Sequence, residues 1–435
     1  MSYAALLSKI VSQGNGTSRR KQRLKSAMRE AAQARSFEIA ERGSRSAGGD
    51  WFVCRLAEMK LDIGDVAHVK ALRDAGHKIF KTQDGQGVLA RALIMEGRTQ
   101  EAEKIILDLV LRNQSPDPLR LLRLLPPEPT LLDKACAAFQ RSERTSYRKA
   151  IQASHLVEVA IATGDVERGL EITNQALRWL DGAKPERVTY SEPDRLDDLD
   201  KALADFHELM KDVGEFFLIS GTLLGIKREN SLLEFDKDID VGVFDPAVVE
   251  RLAKAVGSSF AFAPDISSNI DGFKVKHRNG VVVDVFLHHV EGDAVWHGGP
   301  AHVWDNSKWW SRDEEKFETV TYKGRDYLAP ADWDKYLTEN YGEWRSPVRQ
   351  YNASLEAPNR RLRDAGLARL YSRQNFVKYY HRADFQMLLR AMAAYEAAFG
   401  ADAFLQNAKR VMLADSREDA HPFAATPRPR LLADT

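Results

Sequence analysis

Phe216 to Asp240 reads FFLISGTLLGIKRENSLLEFDKDID, and this stretch decides how the rest of the chain is read. Glu215 to Ile219 is a short apolar run rich in aromatics, which predicts a buried strand, and Ser220-Gly221-Thr222 stops it in a tight turn. Gly221 has no Cβ, so a ligand can approach the main chain there. Leu223 to Lys227 continues at helical spacing, which places free N–H groups and a helix dipole at the same point, an anion-holding arrangement. Asp238 and Asp240 lie two apart in a run carrying Ile239, Val241 and Val243. Residues two apart in a strand share a face at a separation of about 6.5 Å, so the two carboxylates can hold Mg²⁺ or Mn²⁺, hard ions that prefer oxygen.

A third carboxylate obeys the same logic. In Val281-Val-Val-Asp284-Val-Phe-Leu287 every neighbour of Asp284 is apolar, which predicts a central strand in which an uncompensated charge would be costly. Asp284 is therefore expected beside Asp238 and Asp240, three carboxylates around one or two metal ions, able to neutralise phosphate oxygens and activate a hydroxyl.

Gly-Thr-Leu-Leu-Gly-x-x-Arg (Gly221 to Arg228), Phe-Asp-x-Asp-Ile-Asp (Phe235 to Asp240) and Asp-Val-Phe (Asp284 to Phe286) together resemble the LicD and fukutin family. Leu328-Ala-Pro330, Tyr336-Leu337, Tyr341-Gly-x-Trp344 and Pro347 resemble that family's closing segment, so the similarity runs from about Leu199 to Arg349. Two departures stand out: Leu233-Glu-Phe235 replaces an Ile-Pro-Trp-like approach, and Lys237 interrupts the aspartate run.

The resemblance implies a nucleotidyltransferase fold. It further implies transfer of a phosphorylated group, such as phosphocholine or an alditol phosphate, from a CDP-activated donor to a sugar hydroxyl of a glycan acceptor, with a divalent cation. Carried onto this sequence, Asp238, Asp240 and Asp284 are the metal and catalytic candidates. Ser220, Gly221, Thr222, Arg228, Asp236 and Lys274 are the candidates for binding substrate, with Gly221, Thr222 and Arg228 facing the donor phosphates. The alternatives are a nucleotidyltransferase acting on a sugar phosphate or a protein, and a non-catalytic scaffold for glycan assembly.

The 435 residues suffice for two or three domains, and a hydrophobic content of 44% is ordinary for a globular chain. With 63 basic and 63 acidic residues the formal charge is zero, which argues against nucleic acid as a partner and leaves at most peripheral membrane contact through the Arg19 to Arg29 basic cluster. The opening MSYAALLSKIVSQGNG has too short an apolar stretch for a secretory signal or a membrane span. Two well-separated cysteines, Cys54 and Cys136, predict neither a disulfide framework nor a zinc motif; a cytoplasmic setting is expected.

The overall expectation is an α+β protein with a mixed sheet of the nucleotidyltransferase type and flanking helices, preceded by an α-helical, tetratricopeptide-like domain. Its segments are a basic helix and linker (1–50), a helical repeat-like domain (51–185), the catalytic domain (195–350), C-terminal helices packed on it (351–414) and a mobile tail (415–435). The repeat reading rests on Leu89 to Val110 and Leu156 to Leu177, each a helix, a glycine (Gly97 or Gly164) and a second helix. Their offset of 67 is close to twice a repeat of about 34 residues. Such a surface suits a protein partner or a growing glycan.

Gly272 to His277 alternates before an Asn279-Gly280 turn, which predicts a hairpin leading into the Asp284 strand, with Lys274 and Lys276 on one face. Trp296, Trp304, Trp309 and Trp310 cluster with glycines in what reads as a mobile loop able to close over the site. The nearby His277, His288, His289, His297 and His302 lack zinc-enzyme spacing and are taken as ordinary polar residues.

Overall fold

The computed structural model describes residues 20–45, 49–112, 115–183, 195–234, 236–264, 272–310, 316–348 and 351–414. The expected tail 415–435, Arg19, Phe235 and most of the loop before Gly272 lie outside them. Packing groups the chain into two units: Met1–Pro127 with Ser191–Ala365, and Glu128–Tyr190 with Gly366–Thr435. The helical segment expected at 51–185 is thus divided between two cores.

The first unit is built on a mixed sheet in the order β3-β4-β5-β2-β1-β10-β9. Its strands are β1 (Phe217–Leu218), β2 (Asp238–Val243), β3 (Phe262–Pro264), β4 (Gly272–His277), β5 (Val282–Leu287), β9 (Phe317–Tyr322) and β10 (Arg325–Pro330). β2 and β5 run parallel, as do β1 and β10, while β1 and β2 are antiparallel. Ile239, Val241 and Val243 are all but fully buried, and so are Val283 and Val285 on the neighbouring strand. Period-two alternation therefore turns Asp238, Asp240 and Asp284 to the opposite face.

Helix α1 (Leu196–Met210) covers the apolar face. Leu199, Leu203, Phe206 and Met210 recur at helical spacing, are buried, and join the same core as β2 and β5. Phe206 meets Phe216 and Phe262 edge-on at 5.3 and 6.0 Å, a geometry that aromatic quadrupoles favour. Helix α2 (Ser220–Glu229) follows β1 directly, α3 (Pro246–Val256) follows β2, and α4 (Trp333–Tyr341) follows β10.

The tryptophan-rich stretch is structured differently from the expected loop. β7 (Ala294–Gly298) and β8 (His302–Asp305) belong to a second sheet ordered β11-β8-β7-β6, with β6 at His289–Glu291 and β11 at Arg360–Leu362. Trp309 is a core residue, 3% exposed. Alternating apolar residues on both sides of the Gly298-Gly299 turn carry enough pairing signal for a hairpin, and this outweighs the glycines.

Both glycine-hinged helix pairs are present. Gln83–Met95 pairs with Thr99–Arg112, and Ser154–Ala162 with Val166–Leu180; Gly97 and Gly164 take the left-handed backbone (φ 76° and 73°) that ends a helix without a Cβ penalty. They belong to different packing units. The C-terminal helices Ala365–His381, Phe385–Phe399 and Ala403–Ala414 group with the second pair and not with the mixed sheet as expected. Gln374 donates to the Ser154 carbonyl at 3.1 Å, and the Tyr147 hydroxyl meets His381 Nδ1 at 2.8 Å. No described helix is long and apolar enough to cross a membrane.

Candidate active site

Ile219 leaves β1 in an extended conformation, and Ser220 turns the chain into α2 with φ 47°, a left-handed backbone uncommon for a residue with a Cβ. Gly221 follows, and its lack of a side chain is used. A Cβ there would lie 2.5 Å from Asp236 Oδ2 and 3.5 Å from Asp240 Oδ2. The Gly221 N–H donates to Asp240 Oδ2 at 3.2 Å, and the Asp240 N–H donates to the buried Thr222 Oγ1 at 2.8 Å. The opening turn of α2 is thereby fastened to β2 at one residue. Gly221 and Thr222 were expected to face a phosphate; in the fold both bond Asp240, Gly221 through its N–H to the carboxylate at the helix N-terminus and Thr222 through its hydroxyl oxygen to the Asp240 N–H.

Asp240 and Asp284 stand opposite each other in the parallel β2/β5 register, on adjacent strands and one face. Asp284 is 6% exposed. Lys274 on β4 is its register partner from the other side, and the ammonium forms an ion pair with Asp284 Oδ2. Burial works against the Lys274 charge, but Asp284, Asp238 and Asp240 together hold its pKa above the ordinary lysine value. Arg228 sits at the far end of α2. Its guanidinium donates to the Trp344 carbonyl at 3.1 Å and to Glu229 at 2.8 Å, so it clasps the closing segment.

The electrostatics converge on the carboxylates. Burial, then the Asp238 charge, pushes the Asp236 carboxyl up to about 7. Burial raises Asp240 well above the usual carboxylate range, with Asp238, Asp236 and Asp284 adding to it and the Gly221 N–H opposing. Asp236, Asp238, Asp240 and Asp284 bring four carboxylates together with two lysines, Lys237 acting on Asp236 and Lys274 paired to Asp284, so among the described residues the site is short of positive charge, and oxygen donors suit a hard divalent cation. As the side chains stand, no three His, Cys, Asp or Glu among the described residues come together closely enough to hold a metal ion by themselves. Mg²⁺ is commonly held by one or two carboxylates with substrate phosphates and water completing the sphere, so the donor set fits that ion.

Two residues beside this cluster carried no chemical signal in the sequence. Tyr336 is fully buried, and burial raises its hydroxyl far above the normal phenol range while Ser220 lies close enough to act against that rise. The Tyr341 hydroxyl is raised in the same way by burial and by Asp240. Both come from α4, which the sequence marks only as part of the closing segment of the family resemblance, with no role given to either hydroxyl.

The histidines divide by environment. His277 Nε2 bonds Asp205 at 2.9 Å and Nδ1 accepts from the Asn279 N–H, which pins the β4–β5 turn. His288 and His297 are buried with ring centroids 4.5 Å apart, and burial holds His297 down to about 3.

Residues 214–332 match the family model described as "LicD/FKTN/FKRP, nucleotidyltransferase domain". The segment is a LicD/fukutin family domain. Similar curated proteins are the ribitol-5-phosphate transferase FKTN of Mus musculus, 25% identical over 165 residues that cover 34% of this chain and 34% of that protein, and its Homo sapiens counterpart, 25% identical over 165 residues covering 33% and 32%. The match spans about a third of the length of these relatives. The LicD-type segment takes in β1 through β10 and with them Gly221, Asp240, Lys274 and Asp284.

Proposed function

We propose that this chain is a metal-dependent phosphotransferase that moves a phosphorylated group, phosphocholine or an alditol phosphate, from a CDP-activated donor to a hydroxyl of a glycan. The observation that carries the reading is the parallel register that sets Asp284 beside Asp240 at the opening of α2, with Lys274 paired to Asp284 and Lys237 acting on Asp236 against four carboxylates. A site with this charge imbalance suits a phosphate ligand only when a cation accompanies it. The similarity to ribitol-5-phosphate transferases supports the choice of a phosphorylated alditol among donors.

In this reading Asp238 and Asp240 would hold Mg²⁺ or Mn²⁺, which supplies charge neutralisation at the phosphate oxygens. Ser220, Gly221 and Thr222 fix the distance between α2 and the carboxylates, and Gly221, having no Cβ, lets Asp236 and Asp240 come up against the opening of the helix. The donor phosphates would lie beside Asp236, with Lys274 offsetting charge. The acceptor hydroxyl attacks the distal phosphorus, the bond to the CMP oxygen breaks, and Asp284 takes the hydroxyl proton. Arg228 acts at a distance by holding the Trp344 segment against α2.

The test is release of CMP from a panel of CDP donors with Mg²⁺, together with mass analysis of the acceptor. CMP formation that EDTA stops and Asp238→Asn abolishes, in a variant of unchanged circular dichroism, is expected. Full activity of that variant, or a nucleoside retained on the product, would overturn the assignment, the latter in favour of nucleotidyl transfer.

A further inference from the structure

The second unit contains a cavity of about 560 Å³, lined entirely by its own helices and remote in sequence from the carboxylates of the LicD-type segment. That volume is in the range of sites for small organic ligands, about 300–1,000 Å³. Its floor is apolar: Phe139, Leu156 and Leu177 are buried. Its rim is not. Gln140, Asn174, Gln175 and Asn407 present amides, and Trp179 stands edge-on to Phe139 at 5.7 Å with its ring only partly covered.

The charges of the rim are mostly spoken for. Arg410 pairs with Asp181 at 2.7 Å, and Arg168 with Glu171 at 2.6 Å. Arg178 differs: it is exposed, its Nε donates to Gln175 Oε1 at 3.0 Å, and it makes no ion pair among the described residues. Planar amides offer a donor and an acceptor side by side, which matches vicinal hydroxyls, and an indole face accepts the C–H face of a pyranose. An uncommitted guanidinium adds recognition of carboxylate or phosphate. An acidic peptide would engage the guanidinium but leave the amides and the indole face unused.

We infer that this cavity binds an anionic saccharide, a sugar unit bearing a carboxylate or phosphate, with Trp179 under the ring and Arg178 on the anion. Binding here requires neither donor nor metal, so it stands or falls separately from the carboxylate site.

Calorimetric titration of the full chain without metal tests it, using four probes: a hyaluronan tetrasaccharide, a trisaccharide ending in mannose 6-phosphate, maltotetraose and hexaglutamate. At least one of the two anionic sugars should bind about tenfold more tightly than maltotetraose and hexaglutamate, and which one binds identifies the anion. Arg178→Ala, an exposed position, should weaken that binding about tenfold while CMP release is unchanged, and Trp179→Ala should do the same. No binding by either anionic sugar, equal binding of hexaglutamate, or full affinity in both variants would overturn the inference.

Discussion

Asp236 offers the most direct measure of the charge imbalance at the carboxylate site. Its carboxyl is pushed up to about 7 from an ordinary 3.8, by burial first and the Asp238 charge second. The sign follows from proton binding. Below pH 3.8 the group is protonated in both folded and unfolded chains and contributes nothing. From there to about 7 the folded chain keeps a proton that the unfolded chain has lost, so stability falls as pH rises through this window. Each step of one pH unit costs about 1.4 kcal/mol, so moving from about pH 5.5 to about pH 7.5 without metal removes about 2 kcal/mol. Asp240, raised in the same direction, adds to the fall. Asp236→Asn removes the first contribution, so the variant should lose about 2 kcal/mol less than wild type over that interval, a gap of about 2–3 °C in melting temperature for a chain of 435 residues. Scanning calorimetry of both proteins at the two pH values in EDTA reads this difference directly. A wild type that is equally stable at both pH values, or a variant with the same pH slope, would refute the account of the site as short of a cation.

Two further perturbations separate positioning from chemistry. Thr222→Val keeps shape but leaves the Asp240 N–H without its 2.8 Å acceptor; a loss of about 1–3 kcal/mol in urea unfolding is expected, with Thr222→Ser restoring both stability and CMP release. Lys274→Met takes the ammonium from the buried Asp284 carboxylate, which should cost about 3 kcal/mol, and added Mg²⁺ should recover part of it in the same unfolding assay.

The parts of this protein that were legible in its sequence are those in which one segment carries its own evidence. β2 alternates apolar and acidic residues, so its two faces could be read without knowing what they meet, and the apolar neighbours of Asp284 announced a central strand. That these strands lie side by side in parallel is not in either segment. The expectation that Asp284 meets Asp238 and Asp240 rests on the cost of an uncompensated buried charge, and the parallel register with Asp240 opposite Asp284 is what the fold adds. Asp236 illustrates the converse: its raised pKa arises first from burial and then from the Asp238 charge, and the burial exists only once the fold brings the opening of α2 against it.

The helical regions show why division into cores was harder to see. Periodicity states which face of a helix is apolar and is silent about which helix covers it. Val166–Leu180 buries Ile172, Ala176, Leu177 and Leu180, a stripe that would serve equally well against any apolar neighbour. What selects its partner is steric. A Cβ at Gly169 would lie 2.7 Å from Leu370 Cδ2, so the glycine admits a leucine some two hundred positions later in the chain. A single missing side chain is thus complementary to a single present one, and neither sequence neighbourhood contains the other. This explains how a stretch that reads as one uninterrupted helical domain from 51 to 185 can be shared between two cores, and why the C-terminal helices complete the second of them.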